Sequence, residues 1–456
     1  MTDPTTTLWF ESALLENGWA RDVRLTLRGG QIAGVETGTG RSAHEPANGP
    51  ALPGLPNLHS HAFQRGMAGL AEVRGPAGDS FWTWREVMYR FLQRLGPEEV
   101  EAIAAQAYVE MLEAGFTRVG EFHYLHHDRG GGAFADPAEM AARIAAAADE
   151  SGIGLTLLPV FYAHSGFGGA APTAAQARFI HDVDGFARLL EASRKALAGL
   201  TGAVVGLAPH SLRAVTPEEL TALVSLGGDR PIHIHIAEQT QEVQDCLAWS
   251  GQRPVEWLMS HAPVDARWCL VHATHVMLEE IADMARSQAV VGLCPITEAN
   301  LGDGLFLAPE FRQQDGRFGI GSDSNVLIDA AEELRTLEYG QRLARRNRNV
   351  MAAEPGDSTG AALYRAALAG GAQALGVGAP RLAVGEPADI VSFDPAHPVL
   401  VGRQGDALVD SWVFAGRQGV VDGVWRAGVK RVSGGRHHAR DAVGARYRKA
   451  MAGVLA

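Results

Sequence analysis

Cysteine is scarce in this chain of 456 residues, with only Cys246, Cys269 and Cys294 present. An odd and sparse set excludes a disulfide framework and fits a reducing compartment, so a cytoplasmic location is expected. Long apolar runs are missing too: no uncharged stretch is long enough to span a bilayer. The opening MTDPTTTLWFESALLENG has no basic segment backed by an apolar one, so neither export nor a membrane partner is expected. Positive charge is in deficit, 40 Lys and Arg against 52 Asp and Glu, for a formal charge of −12. Such a balance repels nucleic acid and anionic membrane surfaces, so no nucleic-acid partner is expected. Lysine is almost absent, occurring only as Lys195, Lys430 and Lys449. The 54 glycines and 22 prolines show no period, which excludes collagen-like and low-complexity readings.

What remains is the composition of a soluble globular protein, 46% hydrophobic and 20% charged. Its length suggests roughly three domains at about 150 residues each, although a barrel holds about 250 as one unit. The charge is uneven: residues 401–456 hold ten basic and four acidic residues, a basic tail expected to dock against an acidic body.

Residues 8–37 alternate in short runs broken by Asn-Gly and Gly-Gly, which reads as antiparallel hairpins. The pattern then changes to eight apolar runs, at 51–58, 117–125, 154–162, 203–210, 231–238, 267–275, 289–297 and 318–325. Helical stretches such as PEEVEAIAAQAYVEMLEAG, DPAEMAARIAAAADESG and TPEELTALVSLGG separate them, each with a capping residue and acidic first turn. Eight β/α repeats over 51–379 predict a mixed α/β chain closed into a (β/α)8 barrel. Beyond 380 the segments LAVGEPADIVSFD, LVDSWVFAG and GVVDGVWRAGVKRVSGG read as strands. They are expected to join residues 1–50 in one discontinuous β domain packed on the barrel.

The first run ends in His59-Ser60-His61, and residues i and i+2 of a strand project to one face, where two imidazoles can share a metal. Taken alone, such a triplet among 17 histidines is more often incidental. Position strengthens it: His235, His272 and Asp323 lie at the ends of runs five, six and eight, where barrel enzymes build their sites. His59, His61, His235 and Asp323 make a nitrogen-rich donor set suited to one divalent ion, zinc or iron, with room for a water. The plain alternative is a set of core or surface polar residues. Glu238, three residues after His235, reads as a proton carrier, or otherwise as a first-turn acid of the next helix.

The segments PGLPNLHSHAFQR, HIHIAEQ, LVHATH, CPITEANLGDG, GIGSDSN and GEPADIVSFD together resemble the amidohydrolase superfamily, in its aminohydrolase (deaminase) branch. The finer wording HSHAFQRGMAGL, SFWTWREVMYRF, GEFHYLHH and APHSLRAV is similar to the members that deiminate N-formimino-L-glutamate to N-formyl-L-glutamate and ammonia in histidine degradation. The resemblance implies a distorted barrel of the metal-dependent hydrolase type, a composite β-sandwich from both termini, one zinc ion and a homodimer. Binuclear relatives bridge two ions with a carboxylated lysine at the end of strand four. Run four ends AVVGLAPHS without one, which favours a single ion. Asp323 is then expected to ligate the metal and take a water proton, Glu238 to protonate the leaving nitrogen, and His272 to hold the attacking water. A dicarboxylate substrate calls for arginine, and Arg85 and Arg213 fit, with Gln64, Tyr124 and His210 as further contacts at matching motif positions.

Other readings stand beside this one. A deaminase of a nucleobase, nucleoside or other heterocycle would share the metal set, and Trp82 and Trp84 could then stack a flat base, although such aromatics more often pack a loop or interface. A non-catalytic zinc-binding protein on the same fold would not require Glu238 or His272. His126, His127, His233, His275, His437 and His438 are expected to be non-ligands, and the arginines of RTLEYGQRLARRNRNV to line an exposed helix face.

Overall fold

The computed structural model describes residues 5–43, 45–75 and 78–456. Strands β1 (Thr6–Leu15), β2 (Gly18–Arg28) and β3 (Gln31–Glu36) form the expected hairpins. Gly29 and Gly30, at φ +57° and +80°, supply the left-handed pair that a two-residue hairpin turn requires. β4 (Ala47–Asn48) and β5 (Ala51–Pro53) run parallel to β1. β5 separates from the rest of its apolar run, because Gly54 lets the chain leave for the barrel where any Cβ would collide with Thr117.

Eight segments make the barrel wall: β6 (Leu55–Ser60), β7 (Phe116–His123), β8 (Gly154–Phe161), the pair β9 (Val204–Val205) and β10 (Ala208–Pro209), β11 (Ile232–Ile236), β12 (Trp268–His272), β13 (Val290–Leu293) and β14 (Arg317–Ile320). Each corresponds to one of the eight apolar runs. Their near-continuous burial is what a parallel sheet covered on both faces demands. The strands pair in two arcs, β6 to β10 and β11 to β14. Bridges Leu207–Ile232 and Ser211–His235 join the arcs on one side, and Ser60–Asp323 joins them on the other. At the second seam Gly321 passes so close to His59 that an added Cβ would lie 2.8 Å from its Cβ and carbonyl oxygen.

The helices expected between the runs occur at Pro97–Glu113, Glu139–Ser151 and Pro217–Gly227. Thr216 caps the third through its side chain, but the second has Ala138 at its cap and is held by Asp136, whose carboxylate accepts from Ala138 N.

β15 (Ile390–Phe393), β16 (Val421–Arg426), β17 (Val429–Ser433) and β18 (Arg436–His437) complete the β domain, hydrogen-bonded in the series β18-β17-β16-β15-β5-β1-β2-β3. The segment LVDSWVFAG is not a strand but part of a helix, Asp406–Ala415. Its buried Val409, Trp412 and Val413 recur at i, i+3 and i+4, a helical stripe that outweighs the β propensity of its residues. The basic tail ends in a helix, Arg440–Leu455, whose Arg440 and Arg446 pair with Glu113 and Glu150 of the barrel helices. No described helix is long and apolar enough to cross a membrane.

Candidate active site

The strand ends at one mouth of the barrel depart from β geometry. Ala237, His272, Ala273, Asp323 and Asn325 all have positive φ, between 45° and 68°. For residues other than glycine such backbone costs on the order of 1–3 kcal/mol each, and it persists only where the surroundings impose it. Here it turns side chains inward just past β11, β12 and β14.

Four donors converge there, all buried. His59 Nε2 lies 3.2 Å from His61 Nε2 and 3.0 Å from His235 Nε2. Asp323 Oδ1 lies 3.5 Å from His59 Nε2 and 3.3 Å from His61 Nε2. His61 Nδ1 donates to the Phe122 carbonyl at 2.9 Å and His235 Nδ1 to the His210 carbonyl at 3.1 Å, leaving both Nε2 atoms as lone-pair donors. Burial pushes His59 down to about 3 and lowers His61 and His235 as well, so the imidazoles are neutral. Burial opposes ionisation of Asp323, yet the hydrogen bond with His59 and the charge on His272 hold it below the usual carboxylate range. Facing lone pairs around a carboxylate cannot satisfy one another. One cation satisfies them all: ligands about 2.0–2.1 Å from a zinc ion lie roughly 3.0–3.4 Å apart. The residues therefore fit a single divalent metal.

Around this set stand the other acid–base groups. His272 Nε2 is 3.8 Å from Asp323 Oδ2 and 3.9 Å from Glu238 Oε1. Its Nδ1 meets Glu298 Oε1 at 3.2 Å. Burial works against protonation of His272, but the Glu238, Glu298 and Asp323 carboxylates outweigh it and push it up to about 10. Burial likewise raises Glu238, so that its carboxyl can carry a proton near neutral pH. Glu238 does not cap the next helix. The first-turn acid of that helix, Thr240–Ser250, is Glu242, which accepts from the backbone N–H of Ala237 and Glu238.

The expected substrate contacts surround the same cavity. Gln64, Arg85, Tyr124, His210 and Arg213 line it with His61, Glu238 and Asp323. Gln64 Nε2 donates to Tyr124 Oη at 2.8 Å, and the His210 ring packs 5.0 Å from that of His235. Arg85 comes from a helix, Phe81–Leu92, that covers the mouth, and Arg213 from the loop after β10. Among the described residues neither forms an ion pair or hydrogen bond, and buried Arg213 Nε has no partner. Trp84 also lines the cavity, whereas Trp82 lies behind the arginines.

Several histidines stay apart as expected. His126, His127, His233 and His437 each bond a backbone carbonyl through Nε2, those of Val160, Ile180, Ala374 and Ser151 respectively. Sequence reasoning missed Glu298, Asn325, Tyr89 and Tyr162. Tyr89 and Tyr162 line the cavity. Asn325 Nδ2 ties the carbonyls of His61 and Asp323 together. Only the polar run GSDSN and the acid of TEAN signal the first two, and each reads equally as loop and helix chemistry. Buried Glu121, raised to about 8 by burial, accepts from Ala62 N at 2.7 Å and fixes the turn after His61.

The chain belongs to the amidohydrolase family, whose model matches residues 51–431. Residues 5–47 match a second model, "Formimidoylglutamate deiminase HutF, N-terminal domain". Over 432 residues the chain is 54% identical to the formimidoylglutamate deiminase of Pseudomonas aeruginosa, covering 94% of this chain and 95% of that one. It is 29% identical to a 5-methylthioadenosine/S-adenosylhomocysteine deaminase of Natronomonas pharaonis, over 82% of this chain and 81% of that one. The crystal structure of an amidohydrolase from Brucella melitensis superposes with a TM-score of 0.96 at 56% identity, covering 99% of this chain and all of that one.

Proposed function

We propose that this protein hydrolyses N-formimino-L-glutamate to N-formyl-L-glutamate and ammonia, the deimination step of histidine degradation. The observation that carries the substrate is the pair of unpartnered guanidinium groups, Arg85 and Arg213, in the cavity above the donor set. A neutral heterocycle offers these two guanidinium groups no charged partner, whereas the two carboxylates of a dianion pair with both.

His59, His61, His235 and Asp323 are the residues that would hold the metal. When bound, such an ion lowers the pKa of a water from about 15.7 toward about 7. Asp323 Oδ2, turned toward His272, is placed to accept a proton from the water that attacks the formimino carbon. His272, held by Glu298 through Nδ1, presents Nε2 to the attacking oxygen and fixes its line of approach. Glu238 delivers a proton to the imino nitrogen, and a second proton transfer releases that nitrogen as ammonia. The C=O bond of the formyl group replaces the broken C–N bond, consuming one water.

Zinc is the ion we propose, on the nitrogen-rich donor set. A cytoplasmic location rests on three buried free cysteines, and a homodimer on the family resemblance. An ammonia-release assay tests the substrate, with N-formimino-L-glutamate beside guanine and adenosine. Release from the first alone supports the reading, and release from a heterocycle but not from the first overturns it.

A further inference from the structure

Arg85 and Arg213 come from different elements and carry like charges into one small cavity, where among the described residues neither forms an ion pair or hydrogen bond. Left alone they would repel and turn toward solvent. One side chain touches both. The Trp82 ring centroid lies 4.5 Å from the Arg85 guanidinium carbon and 5.5 Å from that of Arg213. Helical spacing makes half of this arrangement: Trp82 and Arg85 are three residues apart on the helix Phe81–Leu92, and Tyr89, four further on, receives Arg85 at 5.6 Å. Phe81 meets Trp82 edge-on at 5.2 Å and sets the indole plane. The negative face of an indole attracts a guanidinium more strongly than does any other ring in proteins. Trp82 itself does not line the cavity. It acts through the arginines.

We propose that Trp82 is the positioning residue that sets the spacing of Arg85 and Arg213, and so makes the site selective for a dicarboxylate over a monocarboxylate. The proposal rests on the function given above. It explains why the cover helix carries an aromatic at a position that does not line the cavity, and it ties docking of that helix to the barrel loop that holds Arg213. A dianion whose carboxylates match the two guanidinium groups gains both contacts, whereas a monoanion gains one and leaves the other cation unpaired.

The test uses Trp82→Met, which conserves bulk without a π face, and Trp82→Phe, which restores a weaker one. Ammonia release is measured for N-formimino-L-glutamate and for the monoanion N-formimino-4-aminobutyrate, with thermal melting to confirm folding. For Trp82→Met the expected result is a KM for the dianion raised about 10-fold, with kcat and the monoanion KM within about 3-fold of wild type. Trp82→Phe should fall between, and it decides the matter if the Met variant does not fold. A wild-type KM for the dianion in Trp82→Met, or in Trp82→Phe where the Met variant does not fold, overturns the proposal. An equal rise in KM for both substrates, or a loss of kcat in its place, also overturns it, since either marks a merely structural role. Wild-type protein that releases no ammonia from N-formimino-L-glutamate refutes the function itself, before any variant is compared.

Discussion

Among the described residues the nearest ion-pair partner of Glu238 is His272, at 3.9 Å, and burial raises its carboxyl to about 7, so that it can carry a proton near neutral pH. A glutamine there keeps the shape and loses the proton. Glu238→Gln is expected to retain full metal content and lower kcat by at least about 10²-fold, the usual yield of general acid–base catalysis. Metal analysis beside steady-state kinetics checks this, and near-normal turnover would remove Glu238 from the mechanism. Arg213→Met should chiefly raise KM, because it removes a charge that binds substrate and transition state alike. An unchanged KM would free Arg213 from the substrate. Glu238 was legible in the sequence because it closes an apolar run just past His235, and Arg213 because a dicarboxylate calls for arginine and the residue stands at a matching motif position. Glu298 was not. An acid in the first turn of a helix is common, and only the tertiary fold brings it within 3.2 Å of His272 Nδ1.

Among the elements, the seam between β6 and β14 determines how well the donor set is held. Asn57 donates through Nδ2 to Ser322 Oγ and accepts at Oδ1 from Ser322 N, Ser322 donates to Asn325, and Asn325 donates to Ser60 as well as to the His61 and Asp323 carbonyls. Three strand-end residues that bear or flank ligands are thus locked at left-handed or closely packed backbone. Asn325→Ala should weaken metal binding about 10–100-fold, the range for partners that orient ligands, while leaving substrate KM little changed in the metal-saturated enzyme. Competition against a chelator of known affinity measures it, and wild-type affinity would show that the seam does not govern the site. Element type followed from pattern wherever a run was long: all eight barrel segments lie where hydrophobic runs placed them. It failed at residues 406–415, where the β-favouring residues of VDSWVFA masked a helical stripe. Positive φ at Asp323 and Asn325 left no trace in the sequence, since both residues are at home in ordinary loops.

For the whole molecule, the four donors join both ends of the barrel's wall, residues 59–61 and 323, with His235 between. Metal bound only by the folded state therefore clamps the ring. Removing it with a chelator should lower the melting temperature, and restoring zinc at 100-fold over its dissociation constant should return about 2.7 kcal/mol. Identical melting with and without metal would contradict a site that spans the seam. The net charge of −12 opposes nucleic acid but does not describe the cavity, where Arg85 and Arg213 act at contact distance, well within a screening length of about 8 Å. The basic tail likewise matters locally, pairing with Glu113 and Glu150 and holding the last helix on the barrel. In the proposed reaction a water oxygen replaces the imino nitrogen of a linear amidine that carries two carboxylates. Turnover of N-formimino-L-glutamate in heavy-oxygen water, followed by mass spectrometry, shows whether it does. The expected product is N-formyl-L-glutamate with one heavy oxygen in its formyl group, beside one equivalent of ammonia. Free glutamate with formamide, or an intact substrate beside a deaminated heterocycle, would contradict it.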